Sequence, residues 1–166
     1  MVDDLEDINR TRIQTIIIAD DDSDDELLFR HALSEVEPTI KLEATKDGNE
    51  LLSLLQNFKP DMLFLDLDMP AKNGLECLKA IRSNAVYTDL PIIVFSSTSR
   101  KSNIDVAYEM GANLFFIKPS FYKDLVATLQ LILQLNWSEP TRIKEKFFQN
   151  GTYLPINIAT PEKEEM

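Results

Sequence analysis

Two aspartates, Asp66 and Asp68, stand directly after the apolar run MLFL at residues 62–65 and are separated by one residue. Carboxylates at this spacing are compatible with two kinds of phosphoryl chemistry. In a phosphatase, one aspartate acts as the nucleophile and the other as the general acid and base. In a signalling protein, one aspartate accepts a phosphoryl group and holds it. To distinguish these hypotheses, the strands and helices that position the pair and the side chains around it must be considered.

The hydrophobic pattern predicts five short strands that alternate with five helices. Apolar runs such as TIIIAD and LPIIVFSS are typical of strands buried on both faces, whereas TIKLEAT alternates apolar and polar residues like a more peripheral strand. Ser23 and Glu26 match a capping box, which predicts the start of the first helix. Such alternation requires a parallel sheet with right-handed crossovers and helices on both faces. We therefore predict an α/β fold with a doubly wound five-stranded parallel sheet.

Polar residues stand at the ends of four of the predicted strands. In chain order they are Asp20, Asp21 and Asp22, then Asp66, then Ser96, Ser97 and Thr98, and finally Lys118. Ligands of an open α/β sheet bind beyond the carboxyl ends of its strands. We therefore expect these acids, hydroxyls and the lysine to share one rim of the sheet.

The acidic residues of this rim outnumber its one strand-end cation, Lys118. The carboxylates are those of Asp20, Asp21, Asp66 and Asp68. Because crowded like charges are costly, such a group suits a hard divalent cation, and Mg²⁺ fits best since it keeps waters and phosphate oxygens in its shell. Ser96 and Lys118 could hold the remaining oxygens of a phosphoryl group. Asp66, on the middle strand, is the predicted nucleophile.

The motifs resemble, in their order along the chain, the receiver domain of two-component response regulators. The segments that carry the resemblance are IIIADDD, FLDLDMPAKNG, VFSS and FIKPS. It covers roughly residues 13–136 and implies the (βα)5 flavodoxin-like receiver fold. It also implies that Asp66 is the phosphoacceptor, that Asp20 and Asp21 are the magnesium-binding pair, and that the backbone carbonyl of Asp68 is a further metal ligand. Lys118 matches the lysine that pairs with the phosphoryl group.

The resemblance further implies a conformational switch. Ser96 matches the switch hydroxyl, and Phe115 stands where the family has a switch aromatic. The side chains of Asp68 and Thr98 occupy positions that tune the lifetime of the phosphorylated form in the family. The implied phosphoryl donor is a sensor histidine kinase or a histidine phosphotransfer protein, and the output is an unidentified downstream protein target. We thus expect a signalling switch rather than an enzyme, with only self-phosphorylation from a donor and slow autodephosphorylation.

One alternative remains open. The Asp-x-Asp pair also fits the first motif of haloacid-dehalogenase-type phosphatases, in which Asp66 would be the nucleophile and Asp68 the acid and base. Against this reading, Pro70 stands where that motif has Thr or Val, and three acids already follow the first strand.

Composition limits the partners and the compartment. The net charge of −11 and the pI near 4.5 disfavour direct nucleic-acid binding. The single cysteine, Cys77, cannot form an internal disulfide and favours a reducing compartment. No apolar stretch has the length of a membrane span, and the acidic N-terminus lacks the apolar core of a signal peptide. We expect a cytoplasmic protein with neither nucleic acid nor membrane as a partner.

The chain is divided into an N-terminal extension (1–12), a receiver domain (13–137) and a C-terminal tail (138–166). The tail contains three prolines and an acidic end, so we interpret it as mostly extended or disordered and as dispensable for phosphorylation. Because no output module follows, a stand-alone receiver is expected.

Overall fold

The computed structural model describes residues 12–159, which are built around a five-stranded parallel sheet. The strands are β1 (Thr15–Ala19), β2 (Lys41–Thr45), β3 (Met62–Leu65), β4 (Ile92–Ser96) and β5 (Leu114–Ile117). Their order across the sheet is β2-β1-β3-β4-β5, so β3 lies at the centre and β5 at one edge. The predicted N-terminal extension, apart from residue 12, and the acidic end of the tail lie outside the described residues.

Helices follow each strand of the sheet. They are α1 (Ser23–Val36), α2 (Gly48–Asn57), α3 (Gly74–Arg82), α4 (Lys101–Glu109) and α5 (Tyr122–Gln134). A short 3-10 helix, Ala85–Tyr87, lies between α3 and β4. The predicted doubly wound five-stranded parallel sheet is confirmed. Of the helices in the described part of the chain, none is both long and apolar enough to span a membrane.

Two hydrophobic cores cover the two faces of the sheet. The first contains buried residues of α2, α3 and α4, and the second contains buried residues of α1 and α5. Side chains of β4 alternate between them: Val94 belongs to the first core, and Ile93 and Phe95 belong to the second. All four residues of β3 are buried, as expected of a central strand with helices on both sides.

Helix α1 begins at the predicted residue but has a different cap. The backbone of Asp22 is extended, and its carboxylate accepts hydrogen bonds from the backbone N–H groups of Asp24 (2.8 Å) and Asp25 (3.3 Å). Asp22 is therefore the N-cap and Ser23 the first helical residue, which corrects the capping-box interpretation. A carboxylate interacts favourably with the positive end of the helix dipole, so an aspartate is well suited to this position.

The described part of the tail is folded, and its interpretation as mostly extended or disordered is wrong. It forms a 3-10 helix (Pro140–Phe147), a two-stranded antiparallel hairpin of β6 (Phe148–Gln149) and β7 (Thr152–Tyr153), and the short helix α6 (Ile156–Ala159). The second core includes Trp137, Ile143, Phe147 and Ile156, all buried. Burial of these apolar side chains outweighs the turn-forming tendency of the prolines. The division between receiver domain and tail at residue 137 stays a prediction.

Candidate functional site

The carboxyl ends of neighbouring strands bring the predicted acids together. Asp66 follows β3, and its backbone N–H donates to the carbonyl of Ala19, the last residue of β1, at 2.9 Å. Asp20, which directly follows β1, therefore lies beside Asp66. One carboxylate oxygen each of Asp20, Asp21 and Asp66 falls within 4.8 Å of the others. Asp20 and Asp66 are buried, whereas Asp21 is exposed.

This donor set fits a hard divalent cation. Metal–oxygen bonds of about 2.1 Å place the ligands of an octahedral Mg²⁺ shell no more than about 4.2 Å apart. Small side-chain rotations would close the observed spacing to that range. Two of the carboxylates are held in a buried setting while the third is open to solvent, so the group combines fixed protein ligands with room for waters and phosphate oxygens.

Lys118 reaches three carboxylates at once. Its Nζ lies 2.8 Å from Asp20 Oδ2, 2.8 Å from Asp25 Oδ2 and 3.2 Å from Asp66 Oδ2. The contact with Asp20 is an ion pair without good hydrogen-bond geometry, whereas the ammonium donates hydrogen bonds to Asp25 and Asp66. Burial alone would lower the pKa of Lys118, but these carboxylates outweigh it and raise the pKa above its ordinary value. The lysine is thus a permanent cation.

Asp25 is a site residue that the sequence interpretation missed. It was not among the residues predicted to share the rim, yet its carboxylate pairs with Lys118. The Phe95 ring was also missed: its centroid lies 5.4 Å from Lys118 Nζ and supports the ammonium from the second core.

Asp66 is an unusually basic carboxylate. It is 5% exposed, and its pKa is raised from 3.8 to about 6, mainly by burial and also by the charge of Asp20. The ammonium of Lys118 opposes this rise. Oδ1 of Asp66 accepts a hydrogen bond from the backbone N–H of Asp68 at 3.2 Å, and Oδ2 accepts the one from Lys118. Both oxygens are therefore held in fixed directions.

The loop after β3 returns closely to Asp66. The backbone N–H of Gly74 donates to the carbonyl of Leu67 at 3.0 Å, and a Cβ atom at Gly74 would overlap the carbonyl oxygen of Asp66. Asn73 caps the following helix α3 through its side chain, which accepts from the N–H of Glu76 at 3.0 Å. The NG pair thus fixes the backbone on which Asp66 sits.

The predicted lifetime-tuning side chains lie at the mouth of the site. A cavity of about 520 Å³ opens beside the acids, and Asp68 and Thr98 both line it together with Asp21. Asp68 is exposed, and the hydroxyl of Thr98 accepts hydrogen bonds from Arg100 N (3.3 Å) and Asn103 Nδ2 (3.1 Å). Both side chains are therefore placed where a group entering the cavity would meet them.

The two predicted switch residues face the same side of the sheet. Ser96 is fully buried, and its hydroxyl accepts from the N–H of Thr98 at 3.3 Å. Phe115 pairs in register with Val94 and belongs to the first core, to which the alternation of β4 also directs Ser96. Because Phe115 is already 0% exposed, any response of its ring to the site would be a shift within the core.

The fold and the site together define a doubly wound α/β domain with a metal-compatible acidic cluster and a half-buried lysine at the strand ends. The sequence matches the response regulator receiver domain over residues 16–130. The chain belongs to the response regulator receiver family.

Relatives of this chain include proteins with further domains. It is 36% identical over 115 residues to a protein-glutamate methylesterase/protein-glutamine glutaminase of Clostridium acetobutylicum, covering 65% of this chain and 31% of that protein. It is 32% identical over 147 residues to the response regulator MprA of Mycobacterium ulcerans, covering 89% of this chain and 62% of that protein. The chain thus spans about one third to two thirds of the length of the curated relatives it matches.

Solved structures agree with the fold. The Mn²⁺-bound form of the response regulator Rcp1 is 25% identical, with a TM-score of 0.66, covering 72% of this chain and 91% of that chain. The family match and these comparisons agree on a response regulator receiver domain, and the haloacid-dehalogenase hypothesis for Asp66 and Asp68 has no support among them.

Proposed function

We propose that Asp66 accepts a phosphoryl group in the presence of Mg²⁺ and that the modified protein acts as a phosphorylation-dependent switch. The observation that carries this proposal is the setting of Asp66. Its carboxylate has Lys118 at 3.2 Å on one side and oxygens of Asp20 and Asp21 within 4.8 Å on the other. A nucleophilic carboxylate flanked by a fixed cation and a metal-compatible acid pair is suited to phosphoryl transfer.

In the proposed reaction a carboxylate oxygen of Asp66 attacks the donor phosphorus, and the bond from phosphorus to the donor nitrogen breaks. Mg²⁺, held by Asp20, Asp21 and Asp66 with the backbone carbonyl of Asp68, would neutralise charge on the phosphoryl oxygens. Lys118 would pair with one of these oxygens. The hydroxyl of Ser96, on the strand beside Asp66, would donate to another.

The protonation state of Asp66 suits this role at neutral pH. With a pKa of about 6, the carboxylate is mostly ionised at pH 7 and yet more basic than an ordinary aspartate. Greater basicity favours nucleophilic attack as long as the group remains ionised. Burial therefore makes the Asp66 carboxylate a stronger nucleophile, while Lys118 stabilises its negative charge.

The donor in this proposal is a phosphohistidine of another chain, either a sensor histidine kinase or a histidine phosphotransfer protein. His31 lies exposed on α1, and no side chain within residues 12–159 pairs with it to make it a nucleophile. Apolar side chains suited to a protein donor lie close by: Leu27 is exposed two residues after Asp25, and Phe121 is exposed three residues after Lys118. An exposed apolar group beside a charged site is typical of a protein-binding surface.

Several finer assignments belong to the same proposal. Asp68 and Thr98 would set the lifetime of the phosphorylated form through their positions at the cavity mouth. Catalysis would be limited to self-phosphorylation and slow autodephosphorylation. The proposed location is the cytoplasm, on the ground that Cys77 is a free thiol. The negative net charge favours a protein rather than nucleic acid as the downstream partner.

The test is labelling by a small acyl phosphate with Mg²⁺, followed by mass spectrometry of the intact chain. We expect one phosphoryl group, which Asp66→Asn removes. Asp61→Asn is the matched control, because Asp61 lies at the opposite end of the same strand and should leave labelling intact. Retention of the label in Asp66→Asn together with its loss in Asp68→Asn would show that the acceptor is assigned to the wrong residue.

A further inference from the structure

The outer edge of β5 is covered by the segment 138–159, here called the C-terminal strap. Asn157 binds both backbone groups of Ile117: its Oδ1 accepts from the N–H at 2.9 Å, and its Nδ2 donates to the carbonyl at 3.0 Å. Tyr108 on α4 forms a second link, since its hydroxyl accepts from the N–H of Phe115 (3.1 Å) and donates to the carbonyl of Leu154 (2.9 Å). The strap thus binds Ile117 directly and is linked to Phe115, the preceding outward position, through Tyr108.

These contacts satisfy a strand edge without adding a strand. An edge strand presents unpaired N–H and C=O groups that need hydrogen-bond partners. On β5 the partners are the side chains of Asn157 and Tyr108 rather than a backbone ladder. The ring of Tyr108 also stacks on Tyr153 of β7, with 4.7 Å between centroids and an angle of 18°. A few side-chain bonds and one stacked ring can be released together more readily than a continuous ladder.

The first link lies directly beside the phosphoryl site. Ile117, held by Asn157, is the residue before Lys118 and pairs in register with Ser96. The backbone N–H of Lys118 donates to the carbonyl of Ser96 at 2.8 Å. The two residues expected to move toward a phosphoryl group on Asp66 are thus bonded to one another and adjacent to the Asn157 contact. A displacement there changes the directions of both polar groups of Ile117.

The second link runs through the buried aromatic residue. Phe115 shares the face of the sheet that Ser96 occupies, and its N–H is bonded to Tyr108. A shift of Phe115 toward space left by the Ser96 side chain would draw its N–H away from the Tyr108 hydroxyl. Tyr108 would then hold Leu154 and Tyr153 less firmly.

We propose that the C-terminal strap is a latch on β5 that phosphorylation of Asp66 loosens. The proposal rests on the proposed function of Asp66. The hydrogen bonds of the strap fit the conformation that β5 has when Asp66 is unmodified. They therefore stabilise this conformation relative to one in which β5 has shifted. Coupling between two equilibria is reciprocal. Phosphorylation therefore lowers the equilibrium constant for closing the latch by the same factor by which the closed latch disfavours the phosphorylated conformation. Opening of the latch uncovers the edge of β5 and the adjoining side of α4.

The first test measures amide hydrogen exchange of the full chain with Mg²⁺, with and without beryllofluoride as the phosphoryl mimic. We expect exchange at residues 148–157 and at Phe115 and Ile117 to become about fivefold faster, the factor that corresponds to one ordinary hydrogen bond. Labelling of Asp66 by the small acyl phosphate is measured on a separate portion of the same preparation, without beryllofluoride. A labelled protein with unchanged exchange in the strap would overturn the latch and leave the phosphoacceptor intact. An unlabelled protein would overturn both.

The second test uses the reciprocal effect. Tyr108→Phe keeps the stacked ring but removes the hydroxyl that joins Phe115 to Leu154. Its affinity for beryllofluoride should rise about fivefold. Tyr87→Phe is the matched control, since it also deletes a hydroxyl that donates to a backbone carbonyl, that of Leu55 at 2.6 Å, away from β5.

Unchanged or weaker affinity in Tyr108→Phe, or an equal rise in Tyr87→Phe, would contradict the latch. Asn157→Ala, which removes the other link, serves as the second variant if Tyr108→Phe does not fold. It carries the same expectation of tighter beryllofluoride binding.

Discussion

Replacing Asp66 by asparagine should stabilise the protein in the absence of divalent cations. The rise in the pKa of Asp66 from 3.8 to about 6 means that the ionised carboxylate costs about 3 kcal/mol in the folded state. Asparagine removes this cost, and the hydrogen bond from Lys118 that opposes the rise is already included in it. Lys118 keeps its partners Asp20 and Asp25, so no unpaired cation is created. The expected net gain at pH 7 is therefore about 3 kcal/mol.

The gain should depend on pH in a defined direction. Because the pKa of Asp66 is raised on folding, the folded state binds more protons than the unfolded state between about pH 4 and pH 6. The contribution of Asp66 to the free energy of unfolding therefore falls as the pH rises through this window. The side chain of the Asp66→Asn protein does not titrate in this range. Its gain in the free energy of unfolding over the parent should therefore be full above about pH 6.5 and should disappear near pH 4.

Urea unfolding of both proteins in a metal chelator, from pH 4 to pH 8, measures this difference. Asp61→Asn is the control, because the Asp61 carboxylate accepts hydrogen bonds from the N–H groups of Gln14 (2.9 Å) and Thr15 (3.0 Å) and its neutralisation should lower stability. An Asp66→Asn protein less stable than the parent at pH 7, or one whose advantage does not shrink toward pH 4, would refute the reasoning about burial.

Three further predictions concern the metal, the strap and the loop after β3. At ten times its dissociation constant Mg²⁺ should raise the free energy of unfolding by about 1.4 kcal/mol, and Asp21→Ala should remove most of this gain; a melting temperature of the parent indifferent to Mg²⁺ would argue against the site. Ile143→Ala should cost about 3 kcal/mol in urea unfolding, since Ile143 is 1% exposed; a loss below about 0.5 kcal/mol would mean that the strap is not part of the core. Gly74→Ala should destabilise the fold by more than about 2 kcal/mol and slow acyl-phosphate labelling, because the added Cβ overlaps the backbone of Asp66. Normal labelling would contradict the close contact between Gly74 and the Asp66 backbone.

The sheet and the rim were predictable because they depend on local sequence and on general rules of topology. Apolar runs such as that of β3 mark buried strands, and parallel strands place the residues that follow them at a common edge. Asp20, Asp66 and Lys118 could therefore be grouped before any contact was known. Their distances confirm that they share this edge.

The remaining features depend on packing between distant parts of the chain. The pairing of Asp25 with Lys118 spans 93 positions and is decided by the rotation of α1 on the sheet. Asn157 and Ile117 are likewise 40 positions apart. The strap was misinterpreted because its prolines are local signals, whereas burial of Ile143 becomes favourable only once the second core exists.

Trp137, the single tryptophan of the chain, lies between α5 and the strap and gives the molecule an intrinsic optical probe. Its indole is 3% exposed, and its Nε1–H donates to the carbonyl of Ile132 at 2.8 Å. Indole emission shifts to longer wavelength when the ring meets water, so any opening that reaches the base of the strap should redden the fluorescence of the unlabelled protein. Stopped-flow mixing could then follow the time course of the strap without an attached dye.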